Sequence, residues 1–113
     1  MEAQGVRYII NIVKTEKGGR RVRPAKLTVE GGDWIEWKNT LDETVLLTLN
    51  RGDEIFERFP NSAAKGTIEI PPEQSRAFRV NDFPLHGDHS YQVFGASSKS
   101  YYSGDSDPRI DVL

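Results

Sequence analysis

The 113-residue chain contains no cysteine, only two histidines and a single methionine, which is its first residue. Disulfide bonds, thiolate metal ligands and cysteine nucleophiles are therefore excluded, so packing and hydrogen bonds must hold the fold. The sequence also lacks any apolar run near the ~18 residues needed to cross a bilayer. Because the formal net charge is only −2, we expect neither nucleic acid nor a membrane as the partner.

The N-terminus lacks a basic segment followed by an apolar stretch, which is the pattern of a secretory signal. We therefore expect a cytoplasmic protein, or a periplasmic one if a leader has been removed. The length is close to the commonest size of one domain, so the sequence predicts a single domain spanning residues 1–113.

Short apolar stretches with period-two alternation recur along the chain, separated by glycine and proline turns. In residues 34–38 this alternation predicts that Ile35 and Trp37 face the core and that Trp34 faces outward. Pro24 cannot donate to a strand ladder, so we expect it at a sheet edge or where the chain crosses between sheets. Seven or eight such strands, without a long helix, predict an all-β antiparallel sandwich or barrel.

Further expectations concern individual segments. Residues 6–13 carry apolar side chains on both faces, which predicts a strand covered on both sides. One helical turn is expected in the irregular stretch at residues 55–59. The Tyr91 hydroxyl is expected to bond to nearby backbone, as a tyrosine corner does in other Greek-key sandwiches. Three more residues are predicted to lie in the core: Phe78, Val80 and Val93.

Four segments, taken in order, resemble the cupredoxin family of plastocyanin-type and azurin-type Greek-key sandwiches. They are residues 24–39, 70–80, 87–93 and 107–112. In that family a proline precedes an apolar strand, a Gly-Asp turn and an alternating strand ending in Trp-x-Asn, which here is Trp37-Lys38-Asn39. The resemblance covers residues 6–113 and implies a cupredoxin-like Greek-key fold.

The sequence departs from cupredoxins at the copper ligands. A blue-copper site needs a thiolate and two imidazoles, with a weak axial ligand that is usually methionine. The resemblance places the first histidine within residues 41–45, and the cysteine and second histidine within residues 94–102. Neither stretch contains a histidine, cysteine or methionine. The resemblance therefore implies a domain without a type 1 copper site, without an electron-transfer role and without another cofactor.

The two histidines suggest one alternative function. His86 and His89, with Asp88 between them, could bind a divalent metal through two imidazoles and a carboxylate. Their spacing in a loop does not orient the rings, however, and the family has no ligands in this turn. We favour the interpretation that they are surface turn residues.

Three aromatic residues are candidates for binding a partner: Trp34, Tyr101 and Tyr102. Exposed aromatics anchor interfaces because they bury a large area at little entropic cost. For the two tyrosines, the alternative is that they fold back and fill the vacant metal pocket, and both possibilities remain open. We expect the binding surface at one loop end, formed by residues 40–44, 84–89 and 95–104.

Basic residues concentrate around the first hairpin: Lys14, Lys17, Arg20, Arg21, Arg23 and Lys26. Such a cluster could attract phosphate or an acidic partner. Strand alternation would divide these side chains between two faces, and no aromatic lies between them, so a solvated, aggregation-resistant edge is favoured.

No motif for catalysis is present. The sequence therefore predicts a binding domain for a protein or small ligand and not an enzyme, with divalent-metal binding as the alternative.

Overall fold

We describe a computed structural model of the chain for residues 5–15, 20–59, 66–101 and 108–113. These residues contain eleven strands and one turn of 3-10 helix at Gly52–Glu54. The strands are β1 (Arg7–Lys14), β2 (Arg20–Arg23), β3 (Lys26–Val29), β4 (Trp34–Asn39), β5 (Val45–Thr48), β6 (Thr67–Ile70), β7 (Ser75–Arg79), β8 (Gly87–Ser90), β9 (Gln92–Gly95), β10 (Ser100–Tyr101) and β11 (Arg109–Val112).

The strands form three sheets. The first has the order β2-β1-β4-β7, the second β10-β9-β5-β6 and the third β3-β11-β8. Tyr91 alone separates β8 from β9, so the second and third sheets are linked through one extended run. The chain crosses from the first sheet to the third between β2 and β3, where Pro24 lies, which confirms the position expected for this proline.

Most neighbouring strands are antiparallel, but β1 pairs with β4 and β3 pairs with β11 in parallel. Parallel neighbours need a long connection, and here the segment between β1 and β4 passes through both the first and the third sheet. The all-β sandwich is confirmed, with more strands than the seven or eight expected. The additional strands are short, and β8 and β9 divide one extended stretch.

The core follows the predicted alternation. Ile35 and Trp37 are fully buried in β4, while Trp34 and Lys38 face outward. The Trp37 ring packs edge-on against Tyr91 at 5.8 Å, which joins the first sheet to the other two. Val80 and Val93 are fully buried, and the partly buried Phe78 packs against them in the same cluster, so the predicted core positions are confirmed.

Asp33 explains why β1 begins beside β4. This buried carboxylate accepts hydrogen bonds from the main-chain N–H groups of Val6, at 2.9 Å, and Glu30, at 3.0 Å. It therefore closes the glycine turn before β4 and holds the residue that precedes β1. A buried carboxylate is stable here because both of its oxygens have donors.

Three local predictions were wrong. Ile9 is 49% exposed although Ile10 is fully buried, because the outer face of the first sheet is open to solvent. The single helical turn lies at Gly52–Glu54, before the segment expected, since Phe56 forms a β-bridge with Val80. The Tyr91 hydroxyl is buried without a hydrogen bond of normal geometry, so it makes no tyrosine corner.

No helix among the described residues is long and apolar enough to span a membrane.

Candidate functional site

Two loops meet at one end of the sandwich. β5 and β9 are antiparallel neighbours with Val45 opposite Gly95, so the loop that precedes β5 lies beside the loop that follows β9. These loops are residues 40–44 and 95–99, the positions where the resemblance to cupredoxins places copper ligands. The end of the sandwich that they form is the candidate site.

The Asn39 side chain holds loop 40–44 in place through hydrogen bonds. This fully buried side chain donates through Nδ2 to the carbonyl oxygens of Glu43, at 2.8 Å, and Ile70, at 3.1 Å, with a longer contact to Pro71. Its Oδ1 accepts from the Leu41 N–H at 3.0 Å. Because an amide group has both donors and an acceptor, one side chain satisfies several main-chain groups of a tight turn.

Glu43 joins the two loops. Its Oε1 accepts hydrogen bonds from the main-chain N–H groups of Ser97, at 3.0 Å, and Ser98, at 2.9 Å. Its Oε2 accepts from the Ser98 hydroxyl at 3.0 Å. Glu43 is only 7% exposed, so these bonds satisfy a buried carboxylate. We call Glu43, Ser97 and Ser98 the carboxylate clasp.

Gly95 leaves room for the carboxylate clasp. A Cβ atom at this position would lie 2.4 Å from the Ser98 hydroxyl oxygen and 2.7 Å from Glu43 Oε2. Both distances are well inside van der Waals contact, so a larger residue would displace the Ser98 hydroxyl and the Glu43 carboxylate. A polar hollow of about 400 Å³, lined by Asp42 together with the clasp residues, opens to solvent at this end.

The donor set of this end does not fit a type 1 copper ion. The clasp presents carboxylate and hydroxyl oxygens, with main-chain N–H groups pointing at the carboxylate. Type 1 copper takes a thiolate and two imidazoles, and the sequence contains no cysteine. Across the described part of the chain, no three His, Cys, Asp or Glu side chains are grouped so that they could hold a metal.

The structure does not bring His86, Asp88 and His89 together. His86 Nδ1 contacts the Leu113 carbonyl oxygen at 2.8 Å, and His89 Nε2 contacts the Leu85 carbonyl oxygen at 3.1 Å. Asp88 forms an ion pair with Arg109 at 2.8 Å. Asp88 and His89 are successive residues of β8, and successive side chains of a strand point to opposite faces.

Residues 84–89 also lie far from the candidate site, contrary to the expectation of one shared surface. The extended run from Gly87, at the start of β8, to Gly95, at the end of β9, spans about 25 Å. Residues 84–89 therefore lie at the other end of this run, where the Leu85 N–H donates to the Glu54 carbonyl oxygen at 2.9 Å.

Tyr101 lies just after loop 95–99, which carries the clasp residues Ser97 and Ser98. β10 pairs with β9, which places Tyr101 opposite Phe94, and the two rings meet edge-on with centroids 5.0 Å apart. Tyr101 is 62% exposed. Its ring therefore stands on the surface and is not folded into the interior of the loop end. Tyr102 falls outside the described residues.

Trp34 lies on a different sheet from Tyr101. It begins β4 on the outer face of the first sheet and is 38% exposed, with the Arg7 guanidinium 5.8 Å from its ring centre. A cleft of about 390 Å³ adjoins it, lined also by Glu57, Arg58 and residues 77–79.

The predicted basic patch is divided between two sheets. Arg21 and Arg23 lie on the outer face of β2, on either side of the buried Val22, whereas Lys26 is exposed on β3 in the third sheet. Lys14 is exposed at the end of β1. Lys17 and the side chain of Arg20 fall outside the described residues. Parallel pairing of β1 with β4 brings Trp34 to the face that carries Arg21 and Arg23, a proximity that spacing along the chain does not reveal.

Sequence reasoning missed Glu43 as a residue of the site. Its partners lie more than 50 residues away, at Ser97 and Ser98. The only local signal is that a carboxylate occurs in the loop where the resemblance places a copper ligand. That signal does not identify a partner.

Comparisons with known proteins identify the fold. No protein-family model matches the sequence, and no curated protein matches it. Among solved structures, the chain is similar to a multicopper oxidase from Campylobacter jejuni, described as a metallo-oxidase, at 18% identity and a TM-score of 0.54. That match covers 98% of this chain and 30% of the oxidase, so the chain spans less than a third of that protein.

The chain is also similar to a purple cupredoxin from Nitrosopumilus maritimus, at 13% identity and a TM-score of 0.52. Here the match covers 94% of this chain and 99% of the cupredoxin. At these identities the likeness concerns the arrangement of strands alone. Together with the sheet order and the donor set at the loop end, the comparisons show that this chain has a cupredoxin-like fold without the type 1 copper ligands.

Proposed function

We propose that this domain is a copper-free binding module that captures a protein partner with Tyr101 and the adjoining loops 40–44 and 95–99. The observation that carries the proposal is that Tyr101 is 62% exposed although its ring is supported by Phe94. A large aromatic held in this way presents contact area without much loss of side-chain freedom on binding.

The carboxylate clasp supports the same proposal. Glu43 ties together loops 40–44 and 95–99, at the end of the sheet where Tyr101 follows the second loop, so this end is organised before any partner arrives. Preorganisation strengthens binding because less conformational entropy is lost on association. The hollow beside the clasp is polar, which suits hydrogen bonding at the rim around an aromatic anchor.

The proposal assigns neither electron transfer through type 1 copper nor catalysis to this chain. The first follows from the donor set, since the sequence has no thiolate to complete such a centre. The oxidase activity named for one structural neighbour belongs to a protein of which this chain matches 30%. A shared fold does not transfer an activity.

Affinity capture from native extract tests the proposal, with immobilised wild type and Tyr101→Ala compared side by side. Loss of an aromatic anchor should raise the Kd of a captured partner by about 10-fold to 30-fold. A Tyr101→Ala/Tyr102→Ala variant extends the test to the neighbouring tyrosine.

Phe83→Ala is the matched control, because Phe83 is a 94% exposed aromatic near the opposite end of the β8–β9 run. Circular dichroism and the Tm of each variant establish that the fold is intact. The proposal requires a partner that Tyr101→Ala loses and Phe83→Ala keeps. Equal retention of every captured protein by both variants would contradict it.

A further inference from the structure

The outer face of the first sheet is a second surface with a distinct chemistry. Alternate residues of β1, β2, β4 and β7 form it, while the residues between them enter the core. It lies on a different sheet from Tyr101, so a role for this face is independent of the function proposed for the loop end.

The strand register arranges this face in rows. Trp34 lies between Arg7 on β1 and Arg79 on β7. Two residues further along, Ile9 lies next to Glu36, and Ile9 is 49% exposed. These positions make the end of the face near Trp34 partly apolar.

The other end of the face is basic. Asn11 lies between Arg23 on β2 and Lys38 on β4, so the Cα atoms of the two cations are about 10 Å apart. Both side chains are exposed. In the described structure neither of them has a carboxylate within ion-pair distance, unlike Arg7, which pairs with Glu36 at 2.5 Å.

Positive charge is concentrated at one end of this face, although the chain as a whole is slightly negative. The whole chain has a formal net charge of −2, yet this end of the face carries the exposed side chains of Arg23 and Lys38. A local cluster of one sign attracts an oppositely charged partner even when the net charge is unfavourable. Arginine forms bidentate hydrogen bonds with carboxylates, which adds geometric specificity.

The dimensions fit an extended peptide. Four strands about 4.8 Å apart give a face roughly 15 Å wide, which is narrow for a globular partner. From Trp34 to Lys38 the distance along β4 is about 13 Å, the length of four extended residues. Because side chains four residues apart in an extended chain point to the same side, one peptide can reach both ends of the face.

Other features argue against nucleic acid as the occupant. The Trp34 ring already has a guanidinium over it, and three carboxylates, those of Glu36, Glu57 and Asp82, interrupt the basic side chains near it. Stacking of bases needs a free aromatic face, and a phosphate backbone is repelled by carboxylates.

We propose that the outer face of the first sheet binds an extended acidic peptide segment. Carboxylates of the peptide pair with Arg23 and Lys38, and an apolar side chain four residues away packs on Ile9 and against the part of Trp34 that lines the cleft. The cleft beside Trp34, into which Arg58 and Phe78 also open, receives the end of that apolar side chain.

The test uses a fluorescein-labelled peptide of about nine residues, with leucine at the second and fourth positions, glutamate at the sixth and eighth, and glycine or serine elsewhere. Binding is followed by fluorescence anisotropy, and the contact surface is located from amide shifts of the ¹⁵N-labelled protein. A peptide with lysine in place of both glutamates, and an oligothymidylate, are compared in parallel. Three variants are tested beside wild type: Arg23→Glu/Lys38→Glu, Trp34→Ala and Tyr101→Ala.

Lys26→Glu/Arg109→Glu is the matched control, since it makes the same change in net charge with residues of the third sheet. We expect the amide shifts to lie in β1, β2, β4 and β7, and the Arg23→Glu/Lys38→Glu variant to raise the Kd at least about 10-fold. Tyr101→Ala and the control should leave the Kd within about two-fold, and added salt should weaken binding. Three results would each overturn the proposal: no binding at about 1 mM protein, equal loss with the control, or tighter binding of the oligothymidylate.

Discussion

Glu43 and Tyr91 show opposite outcomes of burying a polar side chain. The Glu43 carboxylate accepts three hydrogen bonds from Ser97 and Ser98, so its burial is compensated. The Tyr91 hydroxyl is buried as deeply and forms no hydrogen bond of normal geometry, and neither does the neighbouring Trp37 Nε1. Removing the first group should therefore destabilise the fold, whereas removing the second should not.

Replacing Glu43 tests the clasp. Glu43→Ala leaves the N–H groups of Ser97 and Ser98 without their acceptor, so the free energy of unfolding should fall by about 2–3 kcal/mol in a urea titration. Glu43→Gln should lower the free energy of unfolding by less, because both N–H groups bond to the same oxygen, which an amide retains. Ser97→Ala is the control, since only the main chain of Ser97 takes part. If Glu43→Ala is as stable as the control, the clasp does not stabilise the loop end.

Tyr91→Phe tests the uncompensated hydroxyl. Burial raises the pKa of Tyr91 above its ordinary value of 10.0, and the adjacent Trp37 offsets only part of this rise. The unfolded chain therefore ionises first, and the free energy of unfolding should fall as the pH rises above 10.0. Tyr91→Phe should match or slightly exceed wild-type stability at pH 7 and lose less stability at alkaline pH. Urea titrations across that range measure both, and equal alkaline loss in the two proteins would contradict the assignment.

Among the elements, β4 was the most predictable. Its alternation from Trp34 to Lys38 sets both the buried face and the exposed face, and the structure confirms each position. β1 was less predictable because both of its faces are apolar, and periodicity alone does not say which face is covered. Ile9 is exposed for that reason while Ile10 and Ile12 enter the core.

The candidate site was harder to predict than the fold. The expected binding surface comprised residues 40–44, 84–89 and 95–104, and the structure brings loops 40–44 and 95–99 together but not residues 84–89. Those residues lie at the far end of the β8–β9 run, and strand direction decides this, not turn composition. The contact between Glu43 and Ser98 joins positions 55 residues apart, so no local pattern reveals it.

Substituting Gly95 tests how tightly β9 packs against the carboxylate clasp. Gly95→Ala places a methyl group 2.4 Å from the Ser98 hydroxyl oxygen, so the Ser98 and Glu43 side chains must move and their hydrogen bond must weaken, and the free energy of unfolding should fall by about 1–3 kcal/mol. In a Glu43→Ala background the same substitution should lower the free energy of unfolding by less, since the crowded carboxylate is gone. Urea titrations of the four proteins form a double-mutant cycle. Additive losses would mean that Gly95 acts independently of the clasp.

For the whole molecule, the fold is cupredoxin-like, while the donors at its loop end are carboxylate and hydroxyl oxygens. The chain aligns with nearly the full length of a purple cupredoxin and with 30% of a multicopper oxidase. The two surfaces that we propose for binding lie on different sheets, one around Tyr101 and one around Trp34.

Added metal tests the donor set of the whole chain. Equimolar Cu(II) should give no intense copper–thiolate absorption, because the sequence contains no thiolate. Zn(II) should leave the Tm unchanged, since His86, Asp88 and His89 bond to separate groups. Absorption and thermal melts of protein purified without chelators check both. A rise of several degrees in Tm with either ion, abolished by His86→Ala/His89→Ala, would revive the metal-binding alternative.

The reliance of the clasp on peptide nitrogens has a consequence for how this protein can be altered. Every amino acid except proline brings an N–H to position 97, where only the main chain bonds to Glu43, so this position can change in charge, size or polarity while the two loops stay joined. The side chain at position 97 is therefore available for contact with a partner, and its main chain holds the loop. A library randomised at positions 96 and 97 should accordingly yield folded proteins with new binding preferences.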